Sequence, residues 1–253
     1  MTLVRVLAHF VVLATAATLL TAQVASIGVR GGYQYVINTS AIQVLPGSTD
    51  CGVFSGGNDH GLFGGLTGEY ALFGDALEIM AGITYSLRPA TLSTTVSEGF
   101  EVLNPSTNLY EQLVRSHTFT SSLGYIVVEG GLRSRPIAWL PMYIRTAFDA
   151  GNPIVDATYT QTEQIDSPSG VLFPDNTKKR TTGNGEFPGL GTAYGITGAL
   201  GAALAVSESV EICPEVFYRH GLNSLSSDAT WNQSMIGGGI QIRYRLSEPP
   251  PPP

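Results

Sequence analysis

Charge is scarce in this chain. Only 13 residues are basic and 20 acidic out of 253, so 13% are charged, where an ordinary soluble domain carries about 25%. Lysine occurs twice, as the neighbours Lys178 and Lys179. With a formal net charge of -7 and no basic stripe, nucleic-acid binding is excluded as a function class. Two cysteines cannot build a disulfide scaffold or a Cys-rich zinc site. No apolar run reaches the roughly 20 residues a spanning helix needs. The chain also lacks the low hydrophobicity and high charge of a disordered protein.

Glycine, at 30 residues, and tyrosine, at 11, are what the chain has in excess. Residues 1–25 read as a cleaved signal peptide. Arg5 gives a positive start, Val11 to Leu20 is apolar, and small residues follow. Cleavage falls between Ala22 and Ala25, so the protein is exported.

The remainder alternates with period two. Segment one (27–37) sets Ile27, Val29, Tyr33, Tyr35 and Ile37 against Gly28, Arg30, Gly32 and Gln34. Segment two (61–72) sets Leu62, Leu66, Tyr70 and Leu72 against Gly65, Thr67 and Glu69. Segment three (76–88) opposes Leu77, Ile79, Ile83, Tyr85 and Leu87 to Glu78, Gly82, Thr84, Ser86 and Arg88. Segment four (118–132) slips in phase at Val127-Val128-Glu129, and a bulge is expected there. Segments five (140–149), six (192–206), seven (210–220) and eight (231–246) repeat the alternation. Eight strands of ten or more residues are long enough to cross a bilayer when tilted. Long connectors (38–60, 89–117, 150–191, 221–230) alternate with short ones near 74–75, 134–138 and 207–209. Loop 150–191 is read either as partly unstructured or as extending its hairpin above the membrane. The expected fold is all-β: an eight-stranded antiparallel up-and-down transmembrane β-barrel.

A soluble lipocalin-like barrel shares this alternation but turns its apolar face inward. The height of the aromatics separates the two. Tyr33, Tyr35, Tyr85, Phe148, Tyr194, Tyr218 and Trp231 fall toward the loop end, and Tyr70, Phe73, Trp139 and Tyr244 toward the turn end. Two such girdles suit two lipid-water interfaces. The other face is then the lumen. There Arg30, Arg88, Arg145, Arg219, Arg243 and Arg245 would meet Glu69, Glu78, Glu211 and Glu215. Eight strands leave a lumen just wide enough for side chains, and buried charges must pair. An ion-paired plug is expected, with a gated narrow pore as the alternative.

The segment Pro214 to Leu222 (PEVFYRHGL) and the closing strand Gly237 to Leu246 (GGGIQIRYRL) resemble the outer-membrane β-barrel domain family of the OmpA N-terminal type. The resemblance covers residues 26–246. It departs from the usual pattern in ending without an aromatic: Leu246 is followed by Ser247, Glu248 and the prolines Pro249 to Pro253. Residues 247–253 are read as a Pro-rich tail or truncated linker, stiff in polyproline form. The resemblance implies peptidoglycan as a partner, through a domain after that tail.

Three histidines, His60, His117 and His220, fall at the loop ends of segments two, four and seven, level with Asp59, Ser116 and Asp149. Such residues suit a hydrolytic rim site or a metal, but polar residues also end strands wherever loops begin. Cys51 and Cys213 are placed at opposite ends of the barrel, too far apart for a disulfide. The cluster Lys178-Lys179-Arg180 is read as a solvated loop tip or a contact for lipopolysaccharide. The sequence therefore points to a non-enzymatic outer-membrane anchor or envelope component with surface loops and no cofactor or metal. Its expected partners are outer-membrane lipid and lipopolysaccharide. A small-solute channel, a rim hydrolase and a soluble binder are the alternatives.

Overall fold

A computed structural model describes residues 25–43, 52–137, 139–154, 158–187 and 189–246. The expected signal peptide as far as residue 24, the Pro-rich tail and Cys51 lie outside these residues. Thirteen strands follow in chain order: β1 (Ala25–Ile42), β2 (Phe54–Ala71), β3 (Leu77–Leu87), β4 (Ala90–Leu103), β5 (Tyr110–Ser122), β6 (Gly124–Ser134), β7 (Met142–Pro153), β8 (Thr158–Ser167), β9 (Lys179–Glu186), β10 (Ala193–Ala202), β11 (Leu204–Ala205), β12 (Val210–Gly221) and β13 (Thr230–Arg245). Every strand pairing is antiparallel.

Eight of them close a barrel in the order β1-β2-β3-β6-β7-β10-β12-β13. β1 pairs with both β2 and β13, and β10 pairs with β12, so the ring has no free edge. The short β11 extends the β10 wall against β12. Closure satisfies every ladder without water, which a bilayer demands. At the turn end, the Leu72 amide bonds the Leu77 carbonyl at 2.9 Å. Gly74, with φ at +56°, supplies the left-handed residue that turn needs.

The alternation sorts the two faces. Ile27, Val29, Leu62, Leu66, Ile83, Ile196 and Ile240 point outward and stay exposed. A soluble monomer does not carry an apolar belt all round its circumference. Tyr244 and Ile236 lie on the outer face of β13, opposite Val210 and Tyr218 of β12. The strand between them spans ~27 Å, or ~21 Å of height at the usual tilt. That matches a hydrocarbon layer, and the fold is a transmembrane β-barrel.

Segment four is not one strand. The pairing of β3 with β6 runs unbroken from Leu77↔Ser134 to Leu87↔Gly124, so no bulge exists at 127–129. The break lies at Leu123 instead, between β5 and β6. Val127 faces the lumen and Val128 the lipid, and two adjacent valines hid an ordinary alternation.

The long connectors carry structure of their own. β4, β5, β8 and β9 form a second, four-stranded sheet in that order. It repeats the barrel order β3, β6, β7, β10, so one side of the wall continues beyond the membrane. The β4–β5 hairpin turns through Asn104 to Asn108, with Asn108 at φ 61°, a conformation Asn tolerates. The Asn104 side chain bonds the Ser106 amide at 2.9 Å and Glu111 at 2.7 Å. The main apolar core sits where the two sheets meet, in the barrel mouth: Phe54, Leu92, Phe119, Tyr125, Tyr159, Phe187 and Trp231 pack there among others.

Candidate functional sites in the lumen and above it

Lumen-facing positions come from the odd phase of β2, β6, β7, β10, β12 and β13 and the even phase of β1 and β3. The charges they carry settle into three levels. At the turn end, Arg133 bonds Glu69 at 3.0 Å and approaches Glu78 at 3.8 Å. Arg243 pairs with Glu78, with Glu69 at 3.2 Å and with Glu211 at 3.4 Å. Arg135 and Arg245 join Glu211 to Asp75 at the rim. At mid-height, Arg30 meets Glu129 at 2.5 Å, and Arg145 meets Glu215 at 2.5 Å and Glu129 at 3.5 Å. Toward the mouth, Arg219 grips Asp149 at 2.6 Å.

Register explains one contest. Arg133 and Arg145 stand directly opposite each other across β6 and β7, a repulsive placement. Their side chains part. Arg133 goes to Glu69 and lies 3.7 Å from the Tyr143 ring centre, with Cys213 Sγ at 3.4 Å. Arg145 goes to Glu129 and Glu215.

Glycine makes room for aromatics here. A Cβ on Gly32 would fall 2.3 Å from the Gly238 carbonyl and 2.7 Å from Phe63. Phe63 meets Phe217 edge-on at 5.5 Å. Between these rings and the charges lie two small cavities, of about 60 Å³ and about 20 Å³. Phe63, Arg30, Arg145 and Glu215 line both.

Three placements depart from expectation. Trp231 is not in a lipid-facing girdle. It is fully buried, shares the phase of Arg243 and Gln241, donates from Nε1 to Asn38 at 2.9 Å and packs on Phe187 and Phe119. Arg88 faces the lumen, but no carboxylate lies within 4 Å among the described residues. It reaches Ser86 at 3.1 Å and lies 4.7 Å from the Tyr125 ring centre. Asp149 is a lumen partner of Arg219 rather than a rim residue. Glu129 and Arg133 join the expected lumen charges; the adjacent valines Val127 and Val128 obscure their phase, which the odd residues counted back from Arg133 carry.

The other girdle residues face outward. Tyr33, Tyr35, Tyr85, Phe148, Tyr194 and Tyr218 lie toward the mouth, and Tyr70, Trp139 and Tyr244 toward the turns. The histidines do not converge. His60 points outward from β2, where its Nδ1 meets the Tyr33 hydroxyl. His220 points outward from β12 beside Ser234 and Tyr218. β1 and β13 separate these two, a distance of ~14 Å. His117 is buried at 3% exposure on the inner face of the upper sheet. Among the described residues no His, Cys, Asp and Glu side chains gather in a metal-binding group.

That inner face holds its own charge cluster. Arg115 pairs with Glu98 and Glu163, and Arg180 reaches Glu163 at 2.9 Å. Burial pushes His117 below its ordinary range; Arg115 adds to this, while Glu163 opposes it. Burial works against Arg115, but its two carboxylate partners prevail and raise it. The outer face is hydroxyl-rich: Thr91, Thr120 and Thr160 stand in one row, and Ser93, Thr118, Thr162 and Thr181 in the next. Arg180 is thus engaged, while Lys178 and Lys179 stay exposed.

No protein-family model matches the chain, and no curated protein is similar to it in sequence. Solved structures are similar at a distance. Neisserial surface protein A matches at 9% identity and TM-score 0.37, over 86% of this chain and 97% of that one. The outer membrane protease OmpT of Escherichia coli matches at 10% and 0.37, over 90% and 100%. The outer membrane protein OprG of Pseudomonas aeruginosa matches at 15% and 0.34, over 87% and 96%. At these values the likeness assigns neither family nor activity to the chain.

Proposed function

We propose that this chain is a bacterial outer-membrane protein whose closed barrel anchors a structured extracellular β-sheet. One observation carries the reading: the wall strands β3, β6, β7 and β10 continue in the same order as β4, β5, β8 and β9. A hairpin that only closed the barrel would not need paired strands of 8 to 14 residues above it. The sheet offers a flat hydroxyl-rich face and an apolar tip at Phe100, Leu103, Leu109 and Tyr110. Contact with lipopolysaccharide falls to Lys178 and Lys179. A peptidoglycan tether would need a domain beyond the Pro-rich tail.

The role is structural rather than catalytic. Support comes from the separation of His60, His117 and His220 and from the engagement of Asp149 by Arg219. Conduction is disfavoured by the apolar cluster in the mouth and the ion pairs at the turn end. Planar-bilayer recording tests this, and discrete conductance steps from the purified barrel would overturn it. Maleimide labelling of Ser97→Cys on intact cells tests the display of the sheet. Labelling only after cell lysis would place that sheet on the wrong side.

A further inference from the structure

The lumen charges do not balance at one level. Four arginines and four carboxylates meet at the turn end, counting Asp75: Arg133, Arg135, Arg243 and Arg245 against Glu69, Glu78, Glu211 and Asp75. Arg30 and Arg145 meet Glu129 and Glu215 at mid-height. Toward the mouth, Arg88 and Arg219 share only Asp149, and Arg219 takes both of its oxygens at 2.9 and 3.0 Å through Nε. Asp59, farther up β2, accepts from the Thr91 hydroxyl at 2.8 Å and from the His60 amide.

Arg88 is 1% exposed, and its Nη1 has no acceptor. The hydroxyl of Tyr125, on whose ring this guanidinium sits, is also buried without a partner. The Tyr125 oxygen could accept, but the guanidinium lies over the ring face and the two groups make no hydrogen bond. A guanidinium stays charged inside proteins, and a buried charge without a counter-charge is costly. Arg88 lines the cavity of about 60 Å³ together with Ser86, Thr197, the arginines Arg30, Arg145 and Arg219, and the carboxylates Glu129, Asp149 and Glu215 that those three arginines engage. That volume accommodates a halide-sized ion, and the surplus at this level is one positive charge.

We infer that the lumen is a binding site for a small monovalent anion such as chloride, held by Arg88. Arg219, Ser86 and Thr197 surround the ion. Its charge completes the neutrality of the uppermost lumen level. Water alone could satisfy the hydrogen bonds but not the charge.

Bromide is the probe. The full chain, folded in detergent, is crystallised with sodium bromide, and an anomalous difference peak within ~3.5 Å of the Arg88 guanidinium is expected. In parallel, thermal unfolding is followed in sodium bromide against sodium gluconate at equal ionic strength. The wild-type midpoint should rise with bromide concentration by a few degrees, on the order expected from mass action. Arg88→Met should show no bromide-specific rise. A wild-type cavity without bromide density, or a bromide response that survives in Arg88→Met, overturns the inference. If Arg88→Met does not fold, the wild-type difference map decides alone.

Discussion

Replacing Asp149 by Asn should cost the barrel more than replacing Arg219 by Met, although the two side chains form one ion pair. The pair is buried and bidentate, with contacts at 2.6, 2.9 and 3.0 Å. Asp149→Asn leaves Arg219 and Arg88 together with no carboxylate. Stranding a buried charge costs about 3–5 kcal/mol. Arg219→Met instead leaves Asp149 beside Arg88, which lines the same cavity and lacks a carboxylate. Asp149 can turn to it, and the loss falls to about 1–2 kcal/mol of hydrogen bonding and packing. The expected gap is therefore about 2 kcal/mol. The double variant should recover part of the Asp149→Asn loss, since one guanidinium is removed. Reversible urea titration of the barrel in lipid vesicles, read by tryptophan fluorescence with slopes compared, measures all three. Equal costs for the two single variants, or a larger one for Arg219→Met, would refute the charge assignment at this level.

Three other outcomes follow from the geometry. Trp231→Ala should cost about 3–5 kcal/mol and expose the upper sheet to protease, while the barrel keeps its heat-modifiable migration; an intact digestion pattern would count against the mouth core. Gly32→Ala should block folding, since its Cβ meets backbone at 2.3 Å, whereas Gly68→Ala, with nothing within 4 Å, should be tolerated; gel-shift folding yields distinguish them. His117 is held below its ordinary value by burial, so the unfolded chain binds the proton more readily. The stability it contributes is then present above the unfolded value of about 6.5 and lost as pH falls below it. Protection factors in β5 and β8, corrected for the intrinsic pH dependence of amide exchange, should fall between pH 7.5 and 5.5, and His117→Gln should flatten that change; an equal pH response in the variant would refute it.

Most of the barrel was legible because lipid and lumen impose opposite polarity on alternate residues. Segments one to three and five to eight take their faces as the alternation predicts. Segment four failed for a local reason. Val127 and Val128 are both apolar, yet one plugs the mouth and the other meets lipid, so polarity carried no phase there. The upper sheet was hidden differently. Asn104 to Asn108 marks the turn between β4 and β5, but Arg115 and His117 on the inner face of β5 break the polar-apolar alternation there. β4 and β5 as far as His117 fall within the expected connector 89–117, and residues 118–122 of β5 within segment four. Trp231 shows the limit of composition: its height suits a girdle, but its phase with Gly237, Gly239 and Gln241 points it inward. Pairings such as Arg133 with Glu69 depend on register and side-chain reach, and neither is written in the local pattern.

Filling the lumen with ions has a consequence for the sheet above it. A barrel plugged by apolar side chains would gain stability without fixing register, because any one-residue slip still buries something apolar. With charges, a slip turns the mid-height Arg30 or Arg145 into lipid, at a cost of about 2–4 kcal/mol for an Arg at the bilayer midplane. Ion pairs therefore select one register. The upper strands inherit it, since β4 follows β3 and β5 leads into β6 with one or two residues between them. The row Thr91, Thr120, Thr160 above the membrane is thus aligned by Glu78, Arg133 and Arg145 below it. Charge reversal of the pair Glu78 and Arg243 should disturb the upper sheet as well as the barrel. Loss of exchange protection confined to barrel amides in such a variant would break that link.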